Sequence, residues 1–230
     1  MVLNIGSLER TNLAESVADL LRESIVNGKI TAGAHLIESE IAQQLNVSRG
    51  PLREAFRILE AEGLLESHPG RGTYVAQPSE RFICESYSLR NLLEEEAFKL
   101  AIKHRTEQDL NRLENILERL FIAAKSGDQK KVLDLDVSFH RQVWEIADHQ
   151  LIQASLNEII ARQKMYIAVQ TKIYDNLQEG ILDHKIIMGA LRDRNETLGI
   201  ETLRKHLQEA SKMILEYFKM TRQDDPKQND

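Results

Sequence analysis

The chain has 230 residues, 42% of them hydrophobic and 29% charged, with a formal net charge of −6, four prolines and 5% aromatics. That length suits one large or two modest domains, and the composition suits a largely helical protein with an ample core. A single cysteine, Cys84, excludes an internal disulfide framework, and no apolar run nears the ~20 residues that span a bilayer, so a cytoplasmic protein is expected rather than a secreted or inserted one.

From the N-terminus, Leu13, Val17, Leu20, Leu21 and Ile25 predict an amphipathic helix that stops at Asn27-Gly28. Glu38 to Leu45 predicts a short helix with Ile41, Ala42 and Leu45 inward. Asn46, which tolerates the left-handed conformation, then turns the chain into a second helix. Ser48 is placed to cap that helix, and Pro51 is tolerated in its first turn. Leu52, Ala55, Phe56 and Leu59 share one face; Arg49, Arg53 and Arg57 repeat every four residues on another. Helix, tight turn and cationic second helix predict a helix-turn-helix, since phosphates and guanine edges both accept from arginine. Gly63 ends the second helix. Leu64–Ser67 and Thr73–Ala76 then predict two strands around His68-Pro69-Gly70-Arg71-Gly72, the basic, glycine-rich tip of a wing. Residues 1–78 hold seven basic against ten acidic side chains, 7 − 10 = −3, so any grip on DNA must come from where the arginines sit.

Gln77-Pro78-Ser79 marks a linker. Helices are expected near 80–104, 107–125, 129–148, 150–175, 178–193 and 196–220, with Asn195 capping the last. The fold class is therefore mainly α: an N-terminal winged helix-turn-helix at 1–77 and an antiparallel bundle of about six helices at 78–222. A disordered tail is expected at 223–230. Asp136 and His140 lie i, i+4 on one helix face, His184 sits on a stripe with Ile187, Met188 and Leu191, and His206 shares a face with Leu203, Ala210 and Met213. Three helices thus each aim a ligand type suited to zinc or nickel inward. Taken singly each histidine also fits an ordinary core position, and the spacings are not diagnostic. His149 stands at a loop and is left out of the site. Arg90 either forms a solvated i, i+4 pair with Glu94 or faces a ligand cavity.

Leu36-Ile37-Glu38-Ser39-Glu40-Ile41-Ala42, Val47-Ser48-Arg49-Gly50-Pro51-Leu52-Arg53-Glu54-Ala55 and Glu62-Gly63-Leu64-Leu65 together resemble the DNA-binding domain of GntR-family transcription regulators. The resemblance implies that Ser48, Arg49, Gly50 and Arg53 meet the operator and that Gly70, Arg71 and Gly72 form the wing tip. Some members carry an arginine where this chain has Ser39, so Ser39 is assigned a phosphate contact. Asp136-Val137-Ser138-Phe139-His140, His184, Asp193 and Arg204-Lys205-His206-Leu207 resemble the helical effector (FCD) domain of the FadR-type subfamily. That implies a divalent metal, zinc or nickel, on Asp136, His140, His184 and His206, and a small organic acid effector met by Arg90. The expected protein is a homodimeric repressor on a palindromic double-stranded operator, with no membrane partner and no enzymatic activity. Two alternatives stay open: a metal-dependent hydrolase using the Asp/His cluster, or a regulator whose metal is purely structural.

Overall fold

Short polar residues precede several helices of this chain, and glycines or left-handed residues follow several of them. A computed structural model describes residues 11–26, 28–77, 79–168 and 177–223. Of the tail expected at 223–230, Gln223 closes the last helix, and 224–230, like the 169–175 end of the fourth bundle helix, lie outside the described residues. The chain divides into two compact units, one of residues 1–78 together with 164–169 and the other of 79–163 and 170–230.

The first unit holds α1 (Thr11–Val26), β1 (His35–Leu36), α2 (Glu38–Gln44), α3 (Arg49–Ala61), β2 (Leu65–His68) and β3 (Gly72–Val75). Ala14, Val17, Ala18, Leu21 and Ile25 bury one stripe of α1, while Leu13 and Leu20 are about half exposed. Val17, Leu21 and Ile25 thus face inward as expected, while Ala14 and Ala18 complete the buried stripe in place of Leu13 and Leu20. Arg22 fastens the pair, its Nε and Nη2 donating to both oxygens of Glu62 at 2.8 and 2.6 Å. Leu52, Ala55, Phe56 and Leu59 of α3 are buried as their spacing requires. Asn46 takes φ 51° between α2 and α3.

The wing is an antiparallel sheet in the order β1-β3-β2. Leu65 pairs with Val75 and His68 with Gly72. Strand β1, two residues long, pairs His35 with Tyr74, and no pattern that short announces itself in a sequence. The strands start and stop one residue away from the expected bounds.

The second unit holds α4 (Glu80–His104), α5 (Glu107–Lys125), α6 (Gln129–Ile146), α7 (Gln150–Ala168), α8 (Leu177–Arg192) and α9 (Glu196–Gln223). Ser79 accepts from the Phe82 N–H at 3.0 Å, Asp128 from Lys131 at 3.0 Å, and Asn195 from Leu198 at 3.1 Å. Thr106 and Asp109 form a reciprocal capping box on α5. Phe98, Leu113, Leu120, Phe139, Trp144, Leu156 and Leu191 fill the core. Gly199 lets α9 close onto α4, since a Cβ there would strike the Phe98 ring. No described helix is long and apolar enough to cross a membrane.

Candidate nucleic-acid interface and candidate metal centre

Ser48 occupies the position before α3, but its side chain makes no capping bond. The reason is local. A capping serine takes the N–H of the second or third helical residue, and the third is Pro51, which has none. The Ser48 hydroxyl is therefore exposed beside Arg49, Gly50 and Arg53, which are exposed as well. A Cβ on Gly50 would meet nothing within 4 Å, so nothing inside the chain requires glycine there. Ser39 is exposed on α2.

Arg53 Nε donates to Glu38 at 2.8 Å and Arg57 to Glu54 at 3.3 Å, both pairs on the surface. Arg49 and Arg71 make no ion pair among the described residues. At the wing tip, Gly70 and Gly72 take φ 74° and 97°, a region open to glycine with little strain. A Cβ on Gly72 would also collide with the His35 ring. That ring stacks on Tyr74 at 4.6 Å between centroids, and the Tyr74 hydroxyl donates to the Arg71 carbonyl at 2.9 Å. His35, which sequence reading passed over, therefore braces the turn that presents Arg71.

In the second unit Asp136 and His140 on α6, His184 on α8 and His206 on α9 converge. One ligand atom from each lies within 4.8 Å of all the others. His184 Nε2 is 3.0 Å from Asp136 Oδ1, His206 Nε2 is 4.0 Å from the same oxygen, and the His140 and His206 Nε2 atoms face each other at 3.3 Å. Behind the rings stand carboxylates that the sequence reading did not assign. His140 turns Nδ1 to Glu94 Oε2 at 2.8 Å, and His206 turns Nδ1 toward Asp183 at 3.8 Å. Asp183 adjoins His184 in sequence, a proximity that carried no signal because helical neighbours point to different faces.

Arg90 and Glu94 do pair, but not in solvent: their side chains are 6% and 2% exposed. Arg90 Nε donates to Glu94 Oε1 at 2.7 Å and Nη1 to Gln163 Oε1 at 2.8 Å. The solvated pair, one of the two readings of Arg90, is thus a buried one, because α4 turns this face onto α6 and α7.

The electrostatics follow from burial set against these contacts. Burial alone would raise Glu94, yet Arg90 and then His140 hold its carboxyl down at about 2. Burial would likewise raise Asp136, but the hydrogen bond to His184 and the neighbouring imidazoles keep it well below the usual carboxylate range. His206 falls to about 4, through burial and then His184, against the pull of Asp183. Near neutral pH the cluster offers a carboxylate and, on His206, a neutral imidazole, forms that bind a cation.

Two family profiles match: "Bacterial regulatory proteins, gntR family" over residues 13–75 and "FCD domain" over residues 85–209. The chain is 31% identical to the probable D-xylose utilization operon transcriptional repressor of Paenarthrobacter nicotinovorans, covering 87% of this chain and 88% of that one. It is 28% identical to the gluconate operon transcriptional repressor of Bacillus subtilis, covering 90% and 87%. Among solved structures, E. coli McbR/YncC matches with TM-score 0.78 and 23% identity over 90% of this chain and 98% of that one. A putative GntR regulator of Rhodococcus sp. RHA1 matches with TM-score 0.78 and 25% identity over 89% and 98%.

Proposed function

The chain belongs to the GntR family of DNA-binding transcription regulators and carries an FCD domain, and we propose that it is a repressor whose grip on an operator is set by a small carboxylate bound beside a divalent metal. The 1–77 unit is the reading head and the 78–222 unit the sensor. Exposed Ser48, Arg49, Gly50 and Arg53 form the reading surface, with Ser39 at a phosphate and Gly70, Arg71 and Gly72 in the wing. Gly50 supports this reading, because the missing side chain benefits only something approaching from outside. One such helix reads only a few base pairs, so a homodimer on a palindrome follows.

One observation carries the metal. His140 Nδ1 faces Glu94 and His206 Nδ1 faces Asp183, so both rings are set to keep their proton on the far nitrogen. If both protons lie there, the Nε2 lone pairs oppose each other across 3.3 Å, an arrangement that calls for a proton or a metal cation between them. Ligand atoms ~2.0–2.2 Å from such an ion stand roughly 3–4.4 Å apart, and the separations of 3.0, 3.3 and 4.0 Å fall in that range. Asp136, His140, His184 and His206 would hold it, and imidazole with one carboxylate suits zinc or nickel. The ion would supply a Lewis-acidic anchor for an anionic oxygen of the effector. Asp136 keeps a third of its side chain exposed, leaving that side of the cluster open. Arg90, expected to meet the effector carboxylate as well, would have to release Glu94 or Gln163 to do so.

A thermal-shift screen of small carboxylates with and without chelator tests the reading, alongside anisotropy on an operator selected from random duplexes. A ligand that stabilises only the metal-loaded protein and changes operator affinity is expected. A metal that raises stability while leaving every ligand response untouched would mean a purely structural ion and sink the sensor.

A further inference from the structure

We propose that Glu94 is the outer carboxylate of the metal centre, fixing His140 with Nε2 toward the ion, and that Arg90, Gln163 and Ser86 serve to hold Glu94 there. The inference rests on the metal reading above and assigns four residues outside the ligand set.

The geometry is a continuous buried chain. Glu94 Oε2 meets His140 Nδ1 at 2.8 Å, while Oε1 takes Arg90 Nε and Nη2, each at 2.7 Å. Arg90 Nη1 donates to Gln163 Oε1 at 2.8 Å, Gln163 Nε2 donates to Ser86 Oγ at 3.0 Å, and Ser86 donates to the Ile83 carbonyl at 3.0 Å. All five side chains are buried. Every link has a matched donor and acceptor, and the chain runs from α4 through α7 back to α4 and ends on a ring nitrogen of α6.

Packing alone does not call for this. A buried ion pair is commonly replaced by apolar side chains of similar volume without loss of stability. What apolar groups cannot do is accept the Nδ1 proton. A carboxylate behind a ligating imidazole selects the tautomer, fixes the ring plane and makes the other nitrogen more basic. The Oε1 contacts matter for the same reason: Arg90, holding Oε1 through Nε and Nη2, pins Glu94 in the rotamer that presents Oε2 to His140. Arg90 thus acts as a positioning residue for the metal site, with Gln163 and Ser86 orienting its guanidinium in turn.

The test uses the full chain and Co²⁺ as probe. Wild type, Glu94→Gln, and the double variant R90M/E94L are titrated with Co²⁺ against a competing chelator. Their visible cobalt spectra are recorded, and ¹⁵N imidazole couplings of the metal-free proteins give the His140 tautomer. Glu94→Gln should weaken Co²⁺ by about 10–100-fold and alter the visible bands. R90M/E94L removes both charges together, so it strands neither and should remain folded when metal-free. It should nevertheless lose at least as much affinity, and its His140 should no longer be held with the proton on Nδ1. Should Glu94→Gln fail to fold, the double variant decides. Wild-type Co²⁺ affinity and an unchanged tautomer in R90M/E94L would overturn the proposal while leaving the metal reading intact. A wild-type protein that takes up no Co²⁺ overturns both.

Discussion

The two units use the same pair of side chains, arginine beside glutamate, at opposite depths. Arg53 and Glu38 of the first unit meet with side chains 62% and 34% exposed. Arg90 and Glu94 of the second meet at 6% and 2%. Water screens the first pair, so it contributes ~0–1 kcal/mol and can be exchanged for a phosphate or a guanine edge. The second has lost its hydration and is committed: neither partner can leave without stranding the other. A reading surface needs charges that are free to change partners. A sensor core needs charges that stay in place.

The largest effect should come from removing the exchangeable charges. Replacing Arg49 and Arg53 together by alanine should lower specific operator affinity by at least about a hundredfold, measured by anisotropy, while the thermal midpoint stays within roughly 2 °C of wild type as expected for surface changes. Retained specific binding would remove the first half of the contrast.

The committed pair should answer in stability instead. Glu94→Ala strands Arg90 and should cost about 3–5 kcal/mol in urea unfolding, most of it restored when Arg90 is also replaced by methionine. A loss below ~1 kcal/mol would make the buried pair no different from the surface one.

Chelation should sharpen the separation. At a free metal concentration a hundred times its dissociation constant, stripping the ion should remove about 2.7 kcal/mol of stability. The Arg49/Arg53 variant should show the same metal-dependent shift in calorimetry, since those arginines lie outside the cluster.

The smallest effect tests a surface group on the sensor side. Thr106→Ala should cost ~1 kcal/mol at neutral pH by removing the α5 cap. The Thr106 hydroxyl, then its backbone N–H, hold Asp109 below the usual carboxylate value against burial. A group lowered by folding stabilises above its ordinary range and loses that contribution as pH falls through the lowered value. The wild-type advantage should therefore shrink in acid and remain flat above pH 5, read as the difference between two unfolding curves.

Much of the fold was legible because its signals are local. The stripe Leu52, Ala55, Phe56, Leu59, the turn at Asn46 and the cap at Asn195 are each settled within one or two helical turns. Where local signals competed, the reading slipped. Ser48 looked like a cap because Pro51 was weighed as a tolerated first-turn residue and not as a missing donor to the serine. Leu13 and Leu20 looked inward because hydrophobicity outranked the small size of Ala14 and Ala18. The four candidate ligands sit on inward faces of three helices, where each also fits an ordinary core position, and only the resemblance to the FCD domain singled them out.

Sequence alone thus determined the helix-turn-helix, the helical second half and the identity of the Asp/His set, since periodicity and motif need only neighbours along the chain. Tertiary structure decided which backs what. Glu94 sits 46 residues from His140, and Arg90 sits 73 residues from Gln163. An i, i+4 arginine–glutamate pair reads the same whether solvent or another helix covers it. Only the packing of α4 against α6 and α7 removes that water and sets Glu94 on His140 and Arg90 on Gln163.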